Sequence, residues 1–260
     1  MIADLFGDKV ERAIKLLKSW EPEQGYTLAF SGGKDSVVLY ELAVRSGVKF
    51  HAYYSDTTID PPEVKKFIRD FYPTNKGLEI TGKEIEIKRP PKSFYQLVAT
   101  KGLPGLHRRW CCQELKESVR IPGILLTGIR WSESVRRSKR RQMEVCRKFS
   151  SLTFLNPIID WSTAEVWQFI KENYLPYCKL YDEGWVRIGC LFCPMTDNQK
   201  IKQMEARRYP NHVKAIKNAI AKFINTHPGK LKYDSPDKNF SWYIYESGLK
   251  NEEVLPLFEN

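Results

Sequence analysis

Between an apolar run, Tyr26-Thr27-Leu28-Ala29-Phe30, and a helical pattern that begins at Val37, the chain carries Ser31-Gly32-Gly33-Lys34-Asp35-Ser36. A strand that reaches a helix through a glycine turn leaves the first helical amides unpaired. It also aims the positive end of the helix dipole beyond the turn, so the junction is a cradle for phosphate. The glycine spacing before the lysine is not that of the Walker loop, and the dinucleotide fingerprint is absent. The segment predicts a nucleotide held by Ser31, Gly32, Gly33, Lys34, Asp35 and Ser36, with Lys34 neutralising charge and Asp35 helping to hold magnesium. The competing reading is a plain strand-to-helix turn in which Asp35 and Ser36 are simple caps.

The surrounding pattern sets the fold class. An amphipathic helix near Val10 to Trp20 precedes the first strand, and the helix after the loop runs to about Ser46, where Gly47 stops it. A strand over Val48 to Tyr54 leads to Asp56, then Pro61-Pro62 starts a helix through about Tyr72. A strand or strand pair near Leu78 to Ile87 and a helix from about Ser93 follow, and Gly123 to Gly128 reads as a buried parallel strand. This rhythm predicts an α/β fold, an open and mostly parallel sheet flanked by helices, with ligands at the carboxyl ends of its strands. The loop hexamer, Asp56, Gly128 and Arg130 all fall at such ends. From Trp161 the texture turns helical and basic, so residues 1–155 are read as the nucleotide-binding domain. Residues 156–260 are read as a smaller, mainly helical, cysteine-containing region with a soft boundary.

Composition narrows the setting. The N-terminal residues lack a secretory pattern and no apolar stretch approaches a membrane span, which predicts a cytoplasmic protein with no membrane partner. A net charge of +11 favours an anionic partner, a nucleotide or a nucleic acid. Arg130, Arg136, Arg137, Lys139, Arg140 and Arg141 crowd one loop. Arg130 and Arg136 suit nucleotide phosphates, and the others either track a polyanion or form a solvated face. A second basic stretch, Lys200 to Lys217, widens that surface or is an ordinary exposed helix face.

Six cysteines in a reducing compartment point to metal or sulfur chemistry. Cys190 and Cys193 have the two-residue gap that lets both sulfurs meet one centre, and Cys111-Cys112 form a tandem. Four thiolates suit a structural zinc or a [4Fe–4S] cluster. Adjacent cysteines project in different directions, which favours the larger inorganic body. Cys146 and Cys178 read as structural thiols, or as a sulfur carrier. His107 and the tryptophans read as structural, with Trp131 the one suited to base stacking.

The hexamer resembles the PP-loop of the ATP pyrophosphatases. Together with Cys111-Cys112, Leu115-Lys116, the run Gly128 to Arg136 and the run Tyr181 to Pro194, it resembles the phosphoadenosine phosphosulfate (PAPS) reductase family of PP-loop proteins over residues 25–195. The resemblance implies an adenine-nucleotide α-hydrolase-like sheet and a [4Fe–4S] cluster beside the nucleotide, ligated by Cys111, Cys112, Cys190 and Cys193. Sulfonucleotide reductases of this family carry a catalytic cysteine near the C-terminus and an altered loop. Here no cysteine follows Cys193 and the loop is intact.

The resemblance is therefore closest to the ATP pyrophosphatases of nucleic-acid thiolation, including the component of DNA phosphorothioation systems; related enzymes thiolate tRNA. It implies ATP and magnesium at the loop, catalytic roles for Lys34, Asp35 and Arg130, a nucleic-acid acceptor and a cysteine desulfurase or other sulfur donor. The alternatives are an APS or PAPS reductase, and a cluster-bearing nucleotide or nucleic-acid-binding module without turnover.

Overall fold

A computed structural model describes residues 4–74, 85–117, 123–196 and 198–246. Contacts divide the chain into two units: residues 1–55, 61–88 and 119–189 form the first, and residues 56–60, 89–118 and 190–260 the second.

The first unit is built on six strands: β1 (Tyr26–Ala29), β2 (Phe50–Ser55), β3 (Ile85–Lys88), β4 (Gly123–Leu126), β5 (Met143–Val145) and β6 (Leu152–Leu155). They form one sheet in the order β3-β2-β1-β4-β6-β5. β1 is central, with Leu28 facing Ala52 of β2 on one side and Leu126 of β4 on the other, both in parallel register. β6 continues the parallel set, and β5 pairs with it antiparallel as the edge. The winding leaves β1 toward β2 and β3, then returns to β4 on the opposite side. The crevice at the carboxyl ends of β1 and β4 is therefore the switch point of the sheet, where open α/β folds take their ligands.

Helix α2 (Lys34–Ser46) follows β1 through the glycine turn. Val37, Val38, Leu39, Leu42 and Ala43 are buried to 1% exposure or less, and α1 (Asp4–Ser19) and α6 (Thr163–Glu172) pack on it. Gly47 ends α2 in the left-handed conformation, its amide bonded to the Val44 carbonyl. Phe30, Tyr40 and Phe71, the last from α3 (Pro62–Thr74), meet with ring centroids 4.7–5.9 Å apart and fill one face of the sheet. The expected helix at Ser162-Thr163-Ala164-Glu165 is α6, with a complete capping box between Ser162 and Glu165. It and β6 belong to the first unit, so the chain interleaves its units where the sequence suggested one cut near residue 155. Helix α1 begins earlier than the expected Val10. The proposed strand residues 78–84 lie outside the described residues.

The second unit is helical: α4 (Phe94–Lys101), α5 (Trp110–Leu115), α7 (Gln199–Arg208), α8 (Pro210–Thr226) and α9 (Pro236–Ser241), with a π-helical turn at Trp242–Glu246. α4 packs along α8, which also carries α9. Ile216, Ile220 and Phe223 of α8 and Phe94, Leu97 and Val98 of α4 are buried. No helix among the described residues is long and apolar enough to cross a membrane.

Candidate functional site

The hexamer closes on itself before it meets any ligand. Gly32 takes φ +73°, and a Cβ there would meet Ile68 at 3.0 Å, so only glycine turns the chain at this point. Gly33 is the N-cap of α2 and offers no side chain to its free amides. The Ser36 hydroxyl donates to the Gly33 carbonyl at 2.8 Å, and the Ser31 amide donates to the Ser36 hydroxyl at 3.3 Å. The Lys34 amide donates to the Tyr181 hydroxyl at 3.0 Å. That hydroxyl, whose titration burial pushes upward, therefore stands on an amide of the helix N-terminus.

Charge is organised around Asp35. Its Oδ2 lies 3.1 Å from Lys34 Nζ and its Oδ1 accepts from Arg130 Nε at 2.7 Å. Arg130 is 2% exposed, and Nη1 donates to Ser132 Oγ at 2.7 Å and to the Trp161 carbonyl at 3.1 Å. Both Nη1 and Nη2 reach Thr163 Oγ1 at 3.3 Å. The guanidinium is thus held on a carboxylate, with Nε committed to Asp35. Gly128 lets the strand end approach: a Cβ there would lie 3.1 Å from the Asp35 backbone. Arg136, Lys139 and Arg141 are exposed, whereas Arg137 pairs with Glu133 and Arg140 with Glu144. Trp131 is 43% exposed and its indole donates to the Arg140 carbonyl at 2.8 Å.

In the second unit the sulfurs gather. Cys111 and Cys112 sit in the short helix α5, and Cys190 and Cys193 flank Leu191 and Phe192. Cys111 and Cys112 share a hydrogen bond that holds Cys112 down at about 6, with help from Lys116 and Arg109, and pushes Cys111 up. The charges of Cys112, Cys190 and Cys193 all push Cys111 further in that direction, which brings the four thiols within one electrostatic neighbourhood. Burial pushes the half-buried Cys190 up to about 12 against the pull of Lys116. The Cys190 charge in turn pushes the Lys116 ammonium upward.

No group of three or more His, Cys, Asp or Glu among the described residues is arranged to hold a single metal ion. A tetrahedral zinc needs four ligands on one ion, with sulfur at about 2.3 Å. A [4Fe–4S] cluster places its four thiolates on separate irons. An all-cysteine donor set drawn from a tandem and a C-x-x-C loop fits the cluster.

The segment 56–60 frames these thiols. Thr57 Oγ1 lies 3.6 Å from Cys190 Sγ, and the Leu191 amide donates to the Ile59 carbonyl at 3.1 Å. Asp56 accepts from the Thr58 amide at 2.8 Å and serves as a turn residue, with Thr58 at φ +64°. His107 is exposed, Cys146 half-buried and Cys178 buried. Sequence reasoning missed Tyr181 as a partner of the loop, Thr163 and Ser132 as partners of Arg130, and Glu205 and Tyr243 beside the C-x-x-C loop. Tyr181 lay inside a quoted motif; Glu205 had no signal at all, being one charge within a basic run.

Two outcomes follow from these charges. Asp35→Asn leaves Arg130 buried with a neutral partner and is expected to lower stability by about 3–5 kcal/mol in urea unfolding; a loss under about 1 kcal/mol contradicts the pairing. Glu205, at 5% exposure, is raised by burial to about 7, against the Phe192 amide and Lys202. The folded chain then holds this proton more tightly than the unfolded chain, so this group's contribution is full below its unfolded value and is lost as pH rises through about 7. Unfolding followed across that range is expected to slope more steeply in the parent than in Glu205→Gln, and equal slopes contradict the burial.

The sequence profile of the phosphoadenosine phosphosulfate reductase domain matches residues 25–196. An uncharacterised protein of Methanocaldococcus jannaschii is 27% identical over 210 residues, 77% of this chain and 42% of that one. The adenosine 5′-phosphosulfate reductase of Oceanobacillus iheyensis is 29% identical over 199 residues, 72% of this chain and 79% of that one. The chain spans about half the length of two curated relatives from Methanocaldococcus jannaschii, 42% of one and 54% of the other. Among solved structures, the phosphoadenylyl-sulfate reductase of Candida auris in its phosphate complex shares the fold, with a TM-score of 0.51 at 20% identity over 73% of this chain and 93% of that one. With its profile match over residues 25–196 and its six-stranded, mostly parallel sheet, the chain belongs to the phosphoadenosine phosphosulfate reductase domain family.

Proposed function

We propose that this protein is an ATP pyrophosphatase that adenylates an acceptor and supports sulfur transfer to nucleic acid, working in the cytoplasm. The observation that carries the reading is the intact hexamer at the start of α2, with Lys34 and Arg130 sharing the Asp35 carboxylate. In this reading the triphosphate of magnesium-bound ATP takes Lys34 from Asp35. Its oxygens replace the Tyr181 hydroxyl on the Lys34 amide, while Asp35 Oδ2 turns to magnesium and Arg130 keeps Asp35 oriented. Ser31, Gly32, Gly33 and Ser36 complete the phosphate contacts. Asp56, Gly128 and Arg136 are assigned to the rest of the nucleotide.

The acceptor oxygen attacks the α-phosphorus and gives up its proton. The bond from that phosphorus to the bridging oxygen breaks, and pyrophosphate leaves with magnesium. A sulfur nucleophile then displaces AMP from the adenylated acceptor. Positioning and charge stabilisation are the protein's main contributions to the first step. Cys111, Cys112, Cys190 and Cys193 would hold a [4Fe–4S] cluster, which supplies a place to bind sulfur. Exposed Arg136, Lys139 and Arg141, with a net charge of +11, suit a nucleic-acid acceptor. A cysteine desulfurase is the natural upstream donor.

A second reading, reduction of adenosine 5′-phosphosulfate, is favoured by the relatives that carry that name. There a thiol attacks the sulfate sulfur, AMP leaves, and a second thiol releases sulfite as a disulfide forms. The two readings separate in one assay on the anaerobically reconstituted chain. Pyrophosphate from ATP and magnesium in the presence of nucleic acid and a sulfur donor, falling about 10²–10³-fold in Lys34→Ala, is the expected result. Sulfite from adenosine 5′-phosphosulfate and a dithiol, with no pyrophosphate from ATP, overturns it.

A further inference from the structure

Within the C-x-x-C segment, Phe192 adopts φ +54°, a left-handed conformation that a bulky residue avoids unless its surroundings impose it. Three contacts do so. The Phe192 amide donates to Glu205 Oε2 at 2.6 Å, and the Phe192 carbonyl accepts from the Tyr243 hydroxyl at 2.6 Å. The ring, 1% exposed, packs edge-on against Phe240 with centroids 5.8 Å apart. Both backbone groups of one residue are thus fixed by side chains from α7 and from the π-helical turn.

The cost of burying these groups argues that they do more than fill space. Glu205 is 5% exposed, Lys202 and Tyr243 are each 1% exposed, and the Lys202 ammonium lies 5.6 Å from the Tyr243 ring centre. An apolar pair would fill the same volume without the desolvation of a carboxyl group and an ammonium. What the carboxylate adds is a strong, directional hydrogen bond to one amide. The turn at Phe192 sets the direction in which the chain carries Cys193 relative to Cys190.

We propose that Glu205 and Tyr243 are positioning residues for Cys190 and Cys193, clamping the amide and carbonyl of Phe192 so that the two sulfurs keep the spacing a bound cluster requires. The proposal rests on the reading of these cysteines as cluster ligands, and its test separates the two.

In the metal-free chain, kept anaerobic, native-state alkylation by iodoacetamide is read at each cysteine by peptide mass spectrometry. Glu205→Ala is expected to raise modification of Cys190 and Cys193 by about tenfold, because opening of the loop exposes them. Cys146, which belongs to the other unit, is expected to stay within about twofold. Glu205→Gln keeps an acceptor oxygen and is expected to match the parent. Tyr243→Phe removes only the hydroxyl; its expected rise is smaller, and it carries the test if Glu205→Ala does not fold. After addition of ferrous iron and sulfide, Glu205→Ala is expected to retain iron about 10–100-fold less well, and Glu205→Gln to behave as the parent. Parental alkylation in the folded Glu205→Ala and Tyr243→Phe chains overturns the clamp. A parent that takes up no iron, with the alkylation changes intact, ends the cluster reading and leaves the clamp standing.

Discussion

A guanidinium at 2% exposure persists in a fold only where an opposite charge meets it, and for Arg130 that charge is Asp35. The pair joins the loop after β4 to the first turn of α2, across the switch point of the sheet. At Gly128 the two segments come close, and a Cβ there would crowd the Asp35 backbone at 3.1 Å. Lys34 leans on the other oxygen of the same carboxylate, so two cations and one anion face the glycine turn. In the proposed reading, a triphosphate would meet positive charges already held in place by the fold, with little reorganisation left for the moment of binding.

The second unit solves a different problem. Thiols repel one another once ionised, and burial alone would keep them protonated. The tandem answers this by sharing a hydrogen bond, which favours the thiolate at Cys112 at the expense of Cys111. At Cys190 Lys116 opposes burial, but burial wins and holds that thiol up at about 12. Around them the backbone is fastened by Thr57 and Ile59 on one side and by Glu205 and Tyr243 on the other, so the C-x-x-C loop is framed by distant pieces of chain.

The parts of this structure legible in the sequence are those governed by neighbours. The glycine turn, the stop at Gly47, the capping box at Ser162 and Glu165 and the apolar strand after Gly123 are each encoded within a few residues. What escaped is long-range. Arg130 finds its carboxylate 95 residues away, which no local pattern announces. β5, with Met143, Glu144 and Val145 at the sheet edge, has too little apolar character to stand out. The basic run from Lys200 suggests an exposed face, yet α7 turns Lys202 and Glu205 inward, three residues apart on one side of the helix. The bond from the Thr58 amide to Asp56, which shapes the turn after β2, likewise had no signal in the sequence.

The central claim is that the charges around Asp35 are arranged for a triphosphate. Isothermal titration of the chain with magnesium-bound ATP, with AMP and with adenosine 5′-phosphosulfate tests it most directly. The account predicts that ATP binds at least about tenfold more tightly than either monophosphate, a difference of about 1.4 kcal/mol supplied by the β- and γ-phosphates. Equal affinity for AMP and ATP, or tighter binding of adenosine 5′-phosphosulfate, would contradict it.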